Sequence, residues 1–146
     1  MVPAYFKPYF TPSEFDSPDL PGSGIRMNAM FISMLNKARS IAGIPFYINS
    51  GYRTPAHNKK VGGVPGSAHT KGLAADIAVT PVTYGKVLSA LLKAGFKRIT
   101  LTPQQRQNIM KKIADKLTYE EIVLLHKAMN NPIIKNMAIK ELKKRL

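Results

Sequence analysis

Residues 67–77 read SAHTKGLAADI, with one histidine, His69, and one aspartate, Asp76, seven positions apart among small residues. Acids are scarce in this chain, 8 Asp and Glu against 22 Lys and Arg, so a carboxylate set among alanines needs a reason. Were residues 69–76 one continuous strand, the odd separation would send His69 and Asp76 to opposite faces. The intervening TKG reads as a turn and removes that constraint. Beyond it, alternation places Leu73, Ala75, Ile77 and Val79 on a packing face and Ala74, Asp76 and Ala78 on the other. A carboxylate flanked by two methyl groups stays accessible to something bulky, such as a metal and its substrate.

Working outward, IPFYINSGYR reads as a strand running from Pro45 into a polar, glycine-containing end, and LAADIAV (73–79) reads as its companion. TPAHNKKVGGVPGS between them is a glycine- and proline-rich loop. Upstream, Met27, Met30, Phe31, Met34, Leu35, Ala38, Ile41 and Ala42 follow helical spacing, with Gly43 where a C-terminal cap belongs. A second helix is expected from about Val82 to Ala94, with Tyr84, Val87, Leu88, Leu91 and Leu92 on one face and Gly95 at its end. FKRITL offers one more strand. From Thr102 the character changes: TPQQ and TYEE both fit a capping box, and NNP introduces a third helix ending in KELKKRL. The first 24 residues hold five prolines and two glycines, which suits an extended arm wrapped on a core. These elements predict an α+β fold, a small and mainly antiparallel sheet with helices packed on one face, followed by a helical C-terminal tail.

At 146 residues the chain suits one domain with a short appendage. Its 45% hydrophobic content argues against wholesale disorder, and its apolar runs are too short to span a bilayer. The N-terminal MVPAYFKPYFTPSEFD lacks a basic start followed by an apolar core, so no secretory signal is expected. The net charge of +14 has two readings, a solvated lysine-rich surface or attraction to a polyanion such as nucleic acid, anionic lipid or an acidic wall polymer. Residues 97–146 concentrate it, with 12 Lys and Arg against four Asp and Glu.

With no cysteine in the chain, any metal must be held by histidine and carboxylate. Zinc accepts both, and a catalytic zinc keeps one position open for water. His69 and Asp76 are two donors of the required kind. On spacing alone the plainer reading is the stronger: a histidine capping a turn and an aspartate bonding loop amides.

The wider pattern adds to the pair. SGYRTPAHN followed by VGGVPGSAHTKGLAADI resembles the zinc D-alanyl-D-alanine peptidases, the family of VanX-type dipeptidases, phage endolysin peptidases and the hedgehog-like fold. The family signature is a serine, a histidine two on, a glycine three further and an aspartate four beyond, and Ser67, His69, Gly72 and Asp76 match it. Arg53, within YRT, matches the family's upstream arginine. FTPSEFDS and AGIPFYINSGYRT are most similar to the short phage-encoded branch, and the likeness covers about residues 10–99.

The resemblance implies zinc as cofactor, with His69 and Asp76 as ligands. It implies Arg53 as a catalytic and substrate-binding group that holds the substrate or steadies a developing oxyanion, as a fixed, forked cation can. Ser67 would bind or orient substrate, with a turn-forming role as the alternative. His57 reads as structural, or as supporting a metal ligand. The implied organisation is an arm over 1–24, a zinc peptidase-like domain over 25–101 and the basic helical tail over 102–146.

The family normally takes a third zinc ligand from a later histidine, just beyond the position of GFKRI. Here the chain runs into TLTPQQRQNIMKK, without histidine, and the likeness ends at about Thr100. His126 shares a helix face with Ile122 and Met129, which reads as packing. A Glu three before a His on a helix stands about 60° from it, within reach of one metal. Glu121 and Glu120 precede His126 by five and six positions, about 140° and about 120° away. Neither is placed as a general base.

Three functions follow. The first is a zinc peptidase acting on D-amino-acid-containing peptidoglycan stem peptides, as a D-Ala-D-Ala carboxypeptidase or murein endopeptidase, phage-encoded and acting on the wall after release from host cytoplasm or virion. The second is a catalytically incomplete module that grips wall peptide or zinc. The third is a basic nucleic-acid-binding virion protein, which rests on charge alone.

Overall fold

In the computed structural model, which describes residues 2–113 and 117–146, Asn28 opens helix α1 (Ala29–Ala42) by accepting the Phe31 amide at 2.9 Å. Gly43, at φ +68°, closes it with the left-handed conformation that glycine adopts freely. The helix stands where its spacing placed it, but its buried face is rotated from the expected one. Ile32, Leu35, Asn36, Ala38 and Ala42 are buried, while Met30 and Ile41 are exposed. Asn36 explains the rotation. Its side-chain amide donates to the Tyr5 and Phe6 carbonyls, and its oxygen accepts the Tyr9 amide. The N-terminal segment is therefore bound to this polar position, and its aromatic side chains take up the packing around it.

That segment folds as three short 3-10 turns, Ala4–Phe6, Pro12–Phe15 and Ser23–Arg26. Phe6, Phe10 and Phe15 are buried, with ring centroids 5.9 Å apart for Phe6–Phe15 and 5.4 Å for Phe10–Phe15. Together with Met27, Leu35 and Phe46 they form the core of the first of two compact units, Met1–Thr83 and Tyr84–Leu146.

Strand β1 (Tyr47–Ser50) pairs antiparallel with β2 (Asp76–Ala78). Tyr47 lies opposite Ala78 and Ile48 opposite Ile77, after which an irregularity between Ile48 and Ser50 brings Ser50 opposite Asp76. Such a bulge bends a strand and re-aims its end. Between the strands lie α2 (Pro55–Lys60) and a 3-10 turn, Ala68–Lys71. The alternation around Asp76 is present in part. Asp76 and Ala78 are exposed and Ile77 and Val79 half-buried, but Leu73 is 47% exposed. Its amide bonds the Ala68 carbonyl at 3.0 Å, so Leu73 still belongs to the turn and not to the strand.

The second unit is helical: α3 (Tyr84–Ala94), α4 (Pro103–Lys112), α5 (Tyr119–Ala128) and α6 (Pro132–Arg145). Both capping boxes are formed, Thr102 with Gln105 and Thr118 with Glu121, and Asn131 caps α6. FKRITL does not form a strand. Ile99 makes one bridge with Met129, its amide reaching the Ala128 carbonyl at 3.2 Å, so the end of α5 satisfies it where a neighbouring strand would have done so. The fold is thus a small α+β arrangement, a two-stranded antiparallel sheet with helices, extended at its C-terminus by further helices. Among the described residues no helix is long and apolar enough to cross a membrane.

Candidate metal centre

Gly51 sets the approach of β1 to the site. A Cβ there would stand 2.7 Å from both Cα and Cβ of Phe15, so only glycine lets the backbone pass this close to the aromatic core. The next amide, Tyr52, bonds the Phe15 carbonyl at 2.9 Å. Arg53 follows, its own amide held by the His69 carbonyl at 3.1 Å. Ser67 caps the turn that carries His69, its hydroxyl accepting the His69 amide at 3.3 Å. Gly72 ends that turn at φ +69°, where a Cβ would also collide with the Arg26 carbonyl. The loop between the strands thereby brings the turn back beside the end of β1.

Three of the sequence candidates meet as a result. His69 Nε2 lies 3.6 Å from Asp76 Oδ1, and Arg53 Nη2 donates to Asp76 Oδ2 at 3.3 Å. The other histidine nitrogen, Nδ1, is 2.8 Å from the Gly51 carbonyl. A carbonyl only accepts, so Nδ1 carries the proton and Nε2 is the nitrogen that faces Asp76. Unless it is itself protonated, Nε2 presents a lone pair to a carboxylate oxygen, and two such groups can share only a cation or a proton.

His69 and Asp76 are two donors of the kind zinc takes. Two zinc ligands at tetrahedral positions stand about 3.4 Å apart, close to the observed separation. A backbone carbonyl holding the far nitrogen is the usual support for a metal-binding imidazole. With a proton on Nε2, hydrogen bonding from His69 is the leading cause that holds the Asp76 carboxyl below the usual carboxylate range, with the charges of His69 and Arg53 adding to it and partial burial opposing it. Among the described residues, no group of three or more His, Asp or Glu is placed to hold a metal ion.

Arg53 is fixed by more than Asp76. Its Nε donates to Ser50 Oγ at 3.1 Å and its Nη1 to Asn58 Oδ1 at 3.3 Å. Beside it opens a cavity of about 210 Å³, lined by Ser50, Gly51, Arg53 and His57 with Glu14 and Asp16. His57 is thus placed near Arg53 on α2, whereas His126 lies on α5 in the second unit. Gly51, Ser50 and Asn58 act in the site without having been singled out in the sequence. One works through its backbone carbonyl and two through neutral side chains, for which motif spacing carries little signal.

The family model for peptidase M15 matches residues 8–110, and the chain belongs to this family of metal-dependent peptidases. The match runs beyond Thr100, where the motif likeness ends, and takes in most of α4. No curated protein matches the chain, and no solved structure does.

Proposed function

We propose that the protein is a zinc-dependent peptidase that hydrolyses D-amino-acid-containing peptidoglycan stem peptides, of the D-Ala-D-Ala carboxypeptidase or murein endopeptidase type, encoded by a phage and acting on the cell wall. The observation that carries the reading is the orientation of His69, whose Nε2 is turned to Asp76 by the Gly51 carbonyl. His69 and Asp76 would hold the ion. Zinc, when bound, supplies a Lewis acid that acidifies water and polarises a scissile carbonyl. Arg53, a permanent cation with donors still to offer on both terminal nitrogens, binds the substrate carboxylate or the oxyanion that develops during hydrolysis. Ser67 orients substrate in addition to capping its turn.

A second reading has its own support. Among the described residues no third ligand is gathered beside His69 and Asp76, and on this reading the domain would grip wall peptide or zinc without turnover. In either case His126 takes no part in the metal site, and the basic C-terminal helices are free to contact a polyanion, nucleic acid included. Zinc-loaded protein incubated with a D-alanyl stem peptide, with products read by mass spectrometry, separates the two. The peptidase reading expects cleavage by the wild type and at least a tenfold loss in Arg53→Ala with zinc retained. Peptide binding without any product supports the binding module, and neither binding nor cleavage removes both the peptidase and the peptide-gripping module.

A further inference from the structure

Asn58 is the one buried residue of α2, 3% exposed. Both ends of its side chain are used. Nδ2 donates to the Val64 carbonyl at 2.8 Å, and Oδ1 accepts from Arg53 Nη1 at 3.3 Å. These partners fix which way the amide points, since a carbonyl cannot donate and a guanidinium cannot accept. The backbone closes around it: the Gly63 amide bonds the Asn58 carbonyl at 2.8 Å. Gly63 has no positive φ to explain it, but a Cβ there would collide with Asn58 Oδ1. The glycine is thus required by the side-chain amide and not by the loop conformation.

We infer that Asn58 is a positioning residue for Arg53, the fixed point that determines how the guanidinium is presented to substrate. Ser50 holds Nε, Asn58 holds Nη1 and Asp76 holds Nη2, so three acceptors define the guanidinium plane. Of these, Asp76 is the one the proposed metal would engage. Ser50 and Asn58 then remain to hold the arginine in place, and Asn58 is the one that reaches a terminal nitrogen. Each terminal nitrogen keeps a further N–H for a carboxylate or oxyanion. The loop VGGVPG acts through the same contact, because Val64 and Gly63 hold the amide that holds the arginine. That Arg53 faces substrate rests on the reading above; that Asn58 orders Arg53 does not.

The test separates the two. Nitrogen-15 NMR of the Arg53 side chain in the full-length protein is compared among wild type, Asn58→Ala, Asn58→Asp and Gly63→Ala, each checked for folding by circular dichroism. The wild type should give a protected, resolved guanidinium signal. Asn58→Ala and Gly63→Ala should lose it, and Asn58→Asp, which keeps an acceptor for Nη1 but gives up the donor to the Val64 carbonyl, should restore part of it. On stem peptide, Asn58→Ala should lower turnover or affinity about ten- to a hundredfold when Arg53 is present, and have no further effect in the Arg53→Ala background. An Arg53 signal unchanged in folded Asn58→Ala, or an equal loss in both backgrounds, overturns the inference. A changed Arg53 signal in a protein that neither binds nor cleaves peptide leaves the inference standing and removes the peptidase reading.

Discussion

Asp76 is the residue on which the site turns, and its chemistry gives a pH-dependent prediction for the metal-free protein. Its folded pKa lies below the ordinary 3.8, chiefly through hydrogen bonding with His69. Between the folded and unfolded values the unfolded chain binds more protons, so stability rises with pH there. The contribution is complete above about 3.8 and is lost as pH falls through the lower folded value. His69→Ala should therefore flatten the acid limb of urea-unfolding midpoints measured from pH 5 downward, and Asp76→Asn, which also removes the Arg53 contribution, should flatten it at least as much. An acid limb unchanged in both would show that the carboxylate gains nothing from its neighbours. The spacing within SAHTKGLAADI left the pair ambiguous; the wider pattern with SGYRTPAHN singled it out, and the fold brings His69 and Asp76 together. The Gly51 carbonyl was not legible, since every residue carries one and only the fold selects which is used.

Among the elements, helices could be read where local chemistry defines their ends. Thr102–Gln105 and Thr118–Glu121 satisfy exposed amides within a few residues, independently of what the helix packs against. Thr118→Ala should accordingly cost about 1 kcal/mol in chemical denaturation, and a cost near zero would show the cap to be idle. The buried face of α1 was less legible. Methionine and isoleucine spacing pointed to Met30 and Ile41, whereas the chain buries Asn36 because thirty residues upstream the Tyr5 and Phe6 carbonyls need a donor. FKRITL failed for a related reason: its β-forming residues state a preference, but a strand exists only where a partner edge lies beside it. Leu73 is the local counterpart, an apolar residue kept exposed by the turn that delivers His69.

Across the whole molecule, membership of the peptidase M15 family agrees with a site built by the first unit alone, from the end of β1, the start of β2 and the turn between them. The central claim is that His69 and Asp76 hold a divalent ion there. Zinc bound per chain at equilibrium dialysis, read by mass spectrometry of the metal, tests it most directly across wild type, His69→Ala, Asp76→Ala and His126→Ala. The account predicts about one zinc per chain in the wild type and in His126→Ala, with weaker affinity than a three-ligand site. It predicts none in His69→Ala or Asp76→Ala, both still folded by circular dichroism. Zinc content unchanged in both ligand variants, or lost in His126→Ala, would contradict it.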